Sequence, residues 1–198
     1  MISKNMVLQN SLKEVIKKHK DVEDILIFGS VVRGKEKFED IDILVLFKTK
    51  IDKNTEYIIR KEFEKHYNKI SITSKTIKTA IDPSFDARES ILFEGFSLIS
   101  KDNLAKKYGF VSLGMFKYDF KGWNTLKKTK FYHALNGRKG KKGILHMLNC
   151  IKISNNLLLS PLDKIEQTKE FLESWGIEYA YIPIIIPQRL NKKELLQG

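Results

Sequence analysis

Apolar and polar positions alternate in two rhythms along this chain. Val7, Leu8, Leu12, Val15 and Ile16 recur at helical spacing and predict an amphipathic helix over 3–19. Lys17, Lys18, His19 and Lys20 supply the cations that suit its C-terminus, His19 as a solvated residue. Two short runs rich in Ile, Leu and Val, 25–28 and 43–47, are bounded by turn residues and read as buried strands. Asp52 to Asn54 read as a turn or cap, before a helix over 55–67 with Ile59, Phe63 and Tyr67 on one side. At 69–77, Ile70, Ile72 and Ser74 alternate with Ser71 and Thr73, as in a strand. Asp82-Pro83-Ser84 looks like the start of a helix over 84–94 that stops at Gly95, with a short strand following at 96–99. The polar stretch 100–107 then separates a first domain, 1–100, from a second, 108–198.

The second half starts with a strand over 110–120, placing Phe110, Ser112 and Gly114 on one face and Val111, Leu113 and Met115 on the other. A basic helix over 124–135 turns Leu126, Phe131 and Leu135 inward. NGRKGKKG, 136–143, reads as a mobile cationic loop. A short helix follows over 144–149, then a hairpin of 150–153 and 157–160 turning at Ser154-Asn155-Asn156. A helix over 163–174 stops at Gly176, and a strand over 179–186 is bounded by Pro187. The expected fold class is α/β (α+β): a mixed sheet with helices covering one face, then a small basic α+β domain.

Composition narrows the function classes. Of 198 residues 42% are hydrophobic, enough for real cores, and no run of 18 apolar residues offers a membrane span. The first 20 residues hold no apolar block of the signal-peptide kind. A single cysteine, Cys150, excludes an internal disulfide; it fits a reducing, cytoplasmic setting and reads as a small buried apolar residue. The net charge of +12 favours a polyanionic partner, nucleic acid or an anionic membrane surface. That excess is local: residues 101–152 carry 13 Lys and Arg against two acids, and the rest of the chain 23 against 22.

Within the basic quarter, Lys117, Lys121, Trp123, Lys127, Lys128, Lys130, Tyr132, Arg138, Lys139, Lys141 and Lys142 interleave cations with rings. Such a surface tracks phosphates and stacks unpaired bases, which points to RNA, or single-stranded DNA, rather than duplex. The competing reading makes the aromatics core and the lysines a solvated face. His133 and His146 have no Cys or His at zinc-site spacing.

Residues 25–47, ILIFGSVVRGKEKFEDIDILVLF, hold the candidate chemistry. Asp40 and Asp42 are two apart at a strand start, so both carboxylates point to one face. Their mutual repulsion is relieved by a hard divalent cation such as Mg²⁺, which takes oxygen ligands and works with substrate phosphates. Gly29 allows a phosphate close to the backbone, and the Ser30 hydroxyl can donate to it. A short helix starting just after Ser30 would aim its N-terminus at the same phosphate, with Arg33 one turn in; the other partners open to Arg33 are Glu36 and Glu39.

Gly29-Ser30, Arg33-Gly34 and Asp40-Ile41-Asp42 between two apolar runs resemble the signature of the DNA polymerase beta-type nucleotidyltransferase superfamily. The form is most similar to its small "minimal" members, over roughly residues 1–100. The resemblance implies transfer of a nucleoside monophosphate from an NTP substrate to an acceptor hydroxyl, on RNA in this basic context. Asp40 and Asp42 would be the catalytic carboxylates that hold Mg²⁺ or Mn²⁺; Gly29, Ser30 and Arg33 would bind the triphosphate. Members also carry a third carboxylate on the strand that here spans 69–77, where the pattern position is Ser71; Asp82 and Asp86 lie in the loop after it. Two alternatives follow: a nucleotidyltransferase fold without activity that binds RNA or another nucleic acid, and an antitoxin-type enzyme modifying a hydroxyl of a protein partner.

Overall fold

The computed structural model describes residues 6–190. The chain divides between Tyr108 and Gly109 into two compact units. Among the described residues, no helix is long and apolar enough to cross a membrane.

The first unit runs α1 (Met6–Lys18), β1 (Val22–Phe28), β2 (Ile41–Phe47), α2 (Lys53–Glu64), β3 (Ile70–Thr76), α3 (Ile77–Ala80), α4 (Arg88–Glu94), β4 (Phe96–Ser97) and α5 (Leu104–Lys107). Its mixed sheet has the order β3-β2-β1-β4. β1 is antiparallel to β2 and β4, whereas β2 and β3 are parallel, with α2 as the crossover.

Side-chain alternation explains how the layers form. Ile25 and Ile27 of β1 and Ile41, Ile43, Val45 and Phe47 of β2 bury one face against Leu8 and Leu12 of α1 and Ile59 and Phe63 of α2. Leu26 and Leu44, on the opposite face, pack with Ala80 of α3 and Ile91 of α4. Helices therefore lie on both faces, not one as expected. The cause is the continuity of the apolar runs, which leaves both sides of β1 and β2 in need of cover. α1 also turns Val7 to solvent, where periodicity had placed it inward. Residues 84–87 form a turn rather than helix: Asp82 accepts from the backbone N–H and hydroxyl of Ser84, and α4 starts only at Arg88.

The second unit runs β5 (Phe110–Asp119), α6 (Thr125–Asn136), β6 (Gly137–Arg138), β7 (Lys141–Lys142), α7 (Ile144–Met147), β8 (Ile151–Ser154), β9 (Leu157–Pro161), α8 (Ile165–Ser174) and β10 (Glu178–Pro187). Its main sheet, β10-β5-β9-β8, is antiparallel throughout. β10 pairs along the whole of β5, from Glu178 opposite Asp119 to Pro187 opposite Phe110. Pro183 and Pro187 fit because β10 is an edge strand, where a missing N–H is tolerated. Asn124 caps α6 by accepting from the Lys127 N–H. Phe131 and Leu135 of α6 are buried as expected, but Leu126, in its first turn, is 64% exposed.

Residues 136–143 correct a further expectation. They form a tight β-hairpin, Gly137 opposite Lys142 and Arg138 opposite Lys141. Its turn residues Lys139 and Gly140 both have positive φ, 48° and 81°, as a two-residue turn matching the strand twist demands. The glycines that read as mobility make the reversal possible.

One buried carboxylate ties β4 to β1. Asp24 accepts from the Ile25 N–H and the Ser97 hydroxyl, both at 2.8 Å. Desolvation outweighs these bonds and raises its carboxyl above the ordinary range. Folding thus favours the protonated form. Stability is fullest below the unfolded-state value and declines as pH rises through the folded one. Asp24→Asn keeps an acceptor oxygen but not the charge. Its melting temperature should gain on the parent from about pH 4 upward, measured by thermal denaturation across pH.

Candidate active site

The site is built where β1 ends. Phe28, the last residue of β1, pairs with Asp42 of β2. The chain then turns at Gly29, whose φ is 85°. A Cβ at Gly29 would stand 2.7 Å from the Asp42 Oδ2, so a side chain here would have to displace that carboxylate as well as adopt a strained φ. The following residues make a hydrogen-bonded turn. Val32 and Arg33 N–H groups donate to the Gly29 carbonyl (3.1 and 3.4 Å), and Lys35 N–H to the Ser30 carbonyl (3.1 Å). No helix forms after Ser30, contrary to the expectation of a helix N-terminus there. The turn instead ends at Gly34 with φ of 92°, and the β-branched pair Val31-Val32 has little helix preference.

Asp40 is exposed just before β2, and Asp42 is half-buried as its second residue. The Asp42 carboxyl lies above the ordinary carboxylate range, first because it is partly buried, then because Asp40 adds a like charge; Arg33 pulls the other way. The two acids are thus electrostatically coupled, as the spacing of two residues implies. Ser71 lies on β3 opposite Asp42 in the parallel register, so the third strand position beside the acids is a hydroxyl. Asp82 is engaged in the turn before α4, which holds its carboxyl below the usual range. Among the described residues no three His, Cys, Asp or Glu side chains are grouped closely enough to hold a metal ion. Two carboxylates fit Mg²⁺ only in its substrate-assisted form, where one or two acids share the ion with water and phosphates. Beside Asp40 a depression is lined by Arg60, Glu64, Tyr67, Asn68, Lys69 and Ile70.

Glu94 is the participant that periodicity missed. It ends α4 and is buried, 3% exposed. Its Oε1 accepts from the Gly29 N–H at 3.0 Å and its Oε2 from the Arg33 Nη1 at 2.6 Å. Arg33 therefore pairs with Glu94, and the Gly29 N–H points at a protein carboxylate. The only signal in the sequence is an acid set among Ile91, Leu92, Phe93 and Phe96, where a charge is buried only with partners.

The cationic residues lie in the second unit. Arg138, Lys139, Lys141 and Lys142 are all exposed on the β6-β7 hairpin; Lys127, Lys128 and Lys130 lie on α6 and Lys121 just before it. Among the described residues none of these pairs with a carboxylate. Lys117 differs, sharing a depression with Asp119 and Glu178. The rings are less available than their interleaving with lysines implied. Phe131 centres an aromatic cluster with Tyr118, Phe120, Trp123, Phe171 and Trp175, centroids 5.4–5.8 Å away. Trp123 packs edge-on against Phe131, and the Lys127 Nζ sits 3.8 Å from its ring centroid. Tyr132 packs on Phe120 and donates to the Asn155 carbonyl. Both rings are half-buried at the edge of this cluster, because one aromatic can satisfy a core and a surface pattern equally.

A mixed sheet with a glycine turn seated on one of two coupled strand-start carboxylates defines a nucleotidyltransferase-type domain. Residues 10–104 match the family described as polymerase beta, nucleotidyltransferase. No curated protein matches the chain.

The electrostatics can be tested directly. Followed by carbon NMR, the Asp42 carboxyl should titrate above the ordinary Asp midpoint. The midpoint should move down in Asp40→Asn, which removes the like charge, and up in Arg33→Gln, which removes the opposite one.

Proposed function

We propose that this protein transfers a nucleoside monophosphate from an NTP to an acceptor hydroxyl, with RNA as the acceptor. One observation carries the reading of the first unit: the backbone at Gly29 lies against the Asp42 carboxylate, with Asp40 coupled to it. A triphosphate approaching the Gly29-Ser30 turn meets no side chain at Gly29 and a hydroxyl at Ser30. Arg33, whose Nη1 donates to Glu94, would add its positive charge to the phosphate site. Asp40 and Asp42 would hold Mg²⁺ or Mn²⁺, which supplies charge neutralisation between triphosphate and acceptor oxygens. Ser71, beside Asp42, is neutral and cannot take a proton from the acceptor as a carboxylate would.

RNA as partner rests on the second unit. Its hairpin and α6 present cations that no described acid neutralises, the electrostatic footprint of a phosphate-tracking surface. A second reading, a nucleotide- and RNA-binding protein without transfer activity, is favoured by Ser71 and by the lack of a three-acid cluster among the described residues.

Incubating the full chain with each α-labelled NTP, Mg²⁺ or Mn²⁺ and total RNA separates the readings. Label should enter RNA and be lost in Asp42→Asn. NTP binding without label in RNA would support the binding-only reading, and label in protein the antitoxin-type one. Separately, replacing Arg138, Lys139, Lys141 and Lys142 together by Gln should flatten the salt dependence of single-stranded RNA binding by up to about 3 log units per log unit of salt. The melting temperature should stay unchanged, because these side chains are exposed and have no carboxylate partner among the described residues. An unchanged slope would place the RNA contacts elsewhere.

A further inference from the structure

Three rings of the second unit's aromatic cluster each carry an ammonium group. The Lys127 Nζ lies 3.8 Å from the Trp123 ring centroid, the Lys152 Nζ 5.1 Å from that of Tyr132 and the Lys128 Nζ 5.9 Å from that of Phe120. All three rings are half-buried, and Phe131 packs against each of them. The Lys152 Nζ also donates to the Asn155 Oδ1 at 3.1 Å. None of the three lysines pairs with a carboxylate among the described residues. The exposed ring described in this unit is Phe110, at the opposite end of β5 from Tyr118 and the cluster.

We propose that the basic surface of the second unit binds base-paired RNA, a stem held through its phosphates, rather than a single strand. The proposal rests on the reading of RNA as the partner of this unit. Proteins that hold single strands combine cations with ring faces on which bases stack. Here a base reaches Trp123, Tyr132 or Phe120 only by displacing an ammonium group that the ring attracts. A single strand therefore gains charge contacts alone, and it gives up its flexibility to make them. A stem needs no ring, because its bases already stack on one another, and it offers phosphates and 2′-hydroxyls in a fixed array. The same ring contacts prepare the protein for such an array. A free lysine loses rotamer freedom when it binds a phosphate. Lys127, Lys128 and Lys152 already sit over rings, so they have less freedom to lose. Arg138, Lys139, Lys141 and Lys142 stand on a hairpin whose two-residue turn fixes their spacing. Phosphate contacts carry no sequence information, so the sequence of the stem should matter little.

The test uses the full chain and three labelled probes at one salt concentration: an RNA duplex of about 16 base pairs, oligouridine of the same length, and a DNA duplex of the same sequence as the RNA. Fluorescence anisotropy should show the RNA duplex bound roughly fivefold or more tightly than oligouridine. Oligouridine bound as tightly as the duplex, or more so, leaves the RNA reading standing and overturns this proposal. Failure of both RNAs to bind, or tighter binding of the DNA duplex than of either RNA, overturns the RNA reading itself. Saturating oligouridine should leave tryptophan emission unchanged; quenching that disappears in Trp123→Leu shows a base on that ring and overturns the proposal. Replacing Lys127, Lys128 and Lys152 together by Gln should lower the salt slope of duplex binding by up to about 2.7 log units per log unit of salt, near 0.9 for each contact. An unchanged slope overturns the proposal. That variant also decides the matter if Trp123→Leu fails to fold, because its three side chains lie at the surface of the cluster and have no carboxylate partner among the described residues.

Discussion

A backbone turn passing close to a carboxylate sets the terms for the first unit. Gly29 passes so near Asp42 that a single methyl group would not fit. Phe28 must pair with Asp42 for this to happen, which fixes the register of β1 on β2. The parallel register of β2 on β3 then delivers Ser71 to the same place. Both registers are held by side chains on two faces, since a slip of one residue would exchange the cores of the two sides. The chemistry at the strand ends thus depends on packing several residues away.

Glu94 adds a constraint from the other end of the unit. Gly95 and β4 follow it directly, and β4 pairs with β1. The strand that closes the sheet therefore also delivers the carboxylate that grips the Gly29 turn. Burying a charge is costly unless it is paired and hydrogen-bonded, and Glu94 is both. The second unit manages its charge in the opposite way. Its cations stay at the surface on a hairpin and a helix, while the rings interleaved with them turn to a cluster around Phe131. Lys127 over Trp123 and Lys128 over Phe120 join the two layers.

Local patterns were legible because their physics is local. Residues two apart on a strand share a face in any fold, so Asp40 and Asp42 could be paired from the sequence. Alternation at 70–74 likewise marked a strand, and most elements lie within a few residues of where periodicity places them. Where such reasoning went astray, two structures shared one pattern. A run of glycines and cations suits a mobile loop and a tight hairpin alike; paired positive φ values at Lys139 and Gly140 decide for the hairpin. Lysines interleaved with rings suit a stacking surface and an amphipathic core boundary alike, and Trp123, half-buried, packs edge-on against Phe131 at that boundary.

By itself the sequence determined the kind of domain at the N-terminal half, the two coupled acids, the hydroxyl at the third position and the confinement of charge to one quarter of the chain. The acids and the charge rest on spacing and composition, and the domain and its third position on the resemblance of the motif; folding alters none of these. Only the tertiary structure decided that Gly29 abuts Asp42, that helices cover both faces of the sheet, and that Arg33 answers to Glu94. The last pairing spans 61 residues. No periodicity carries that distance; it exists because β4 folds back on β1 and brings the end of α4 to the turn.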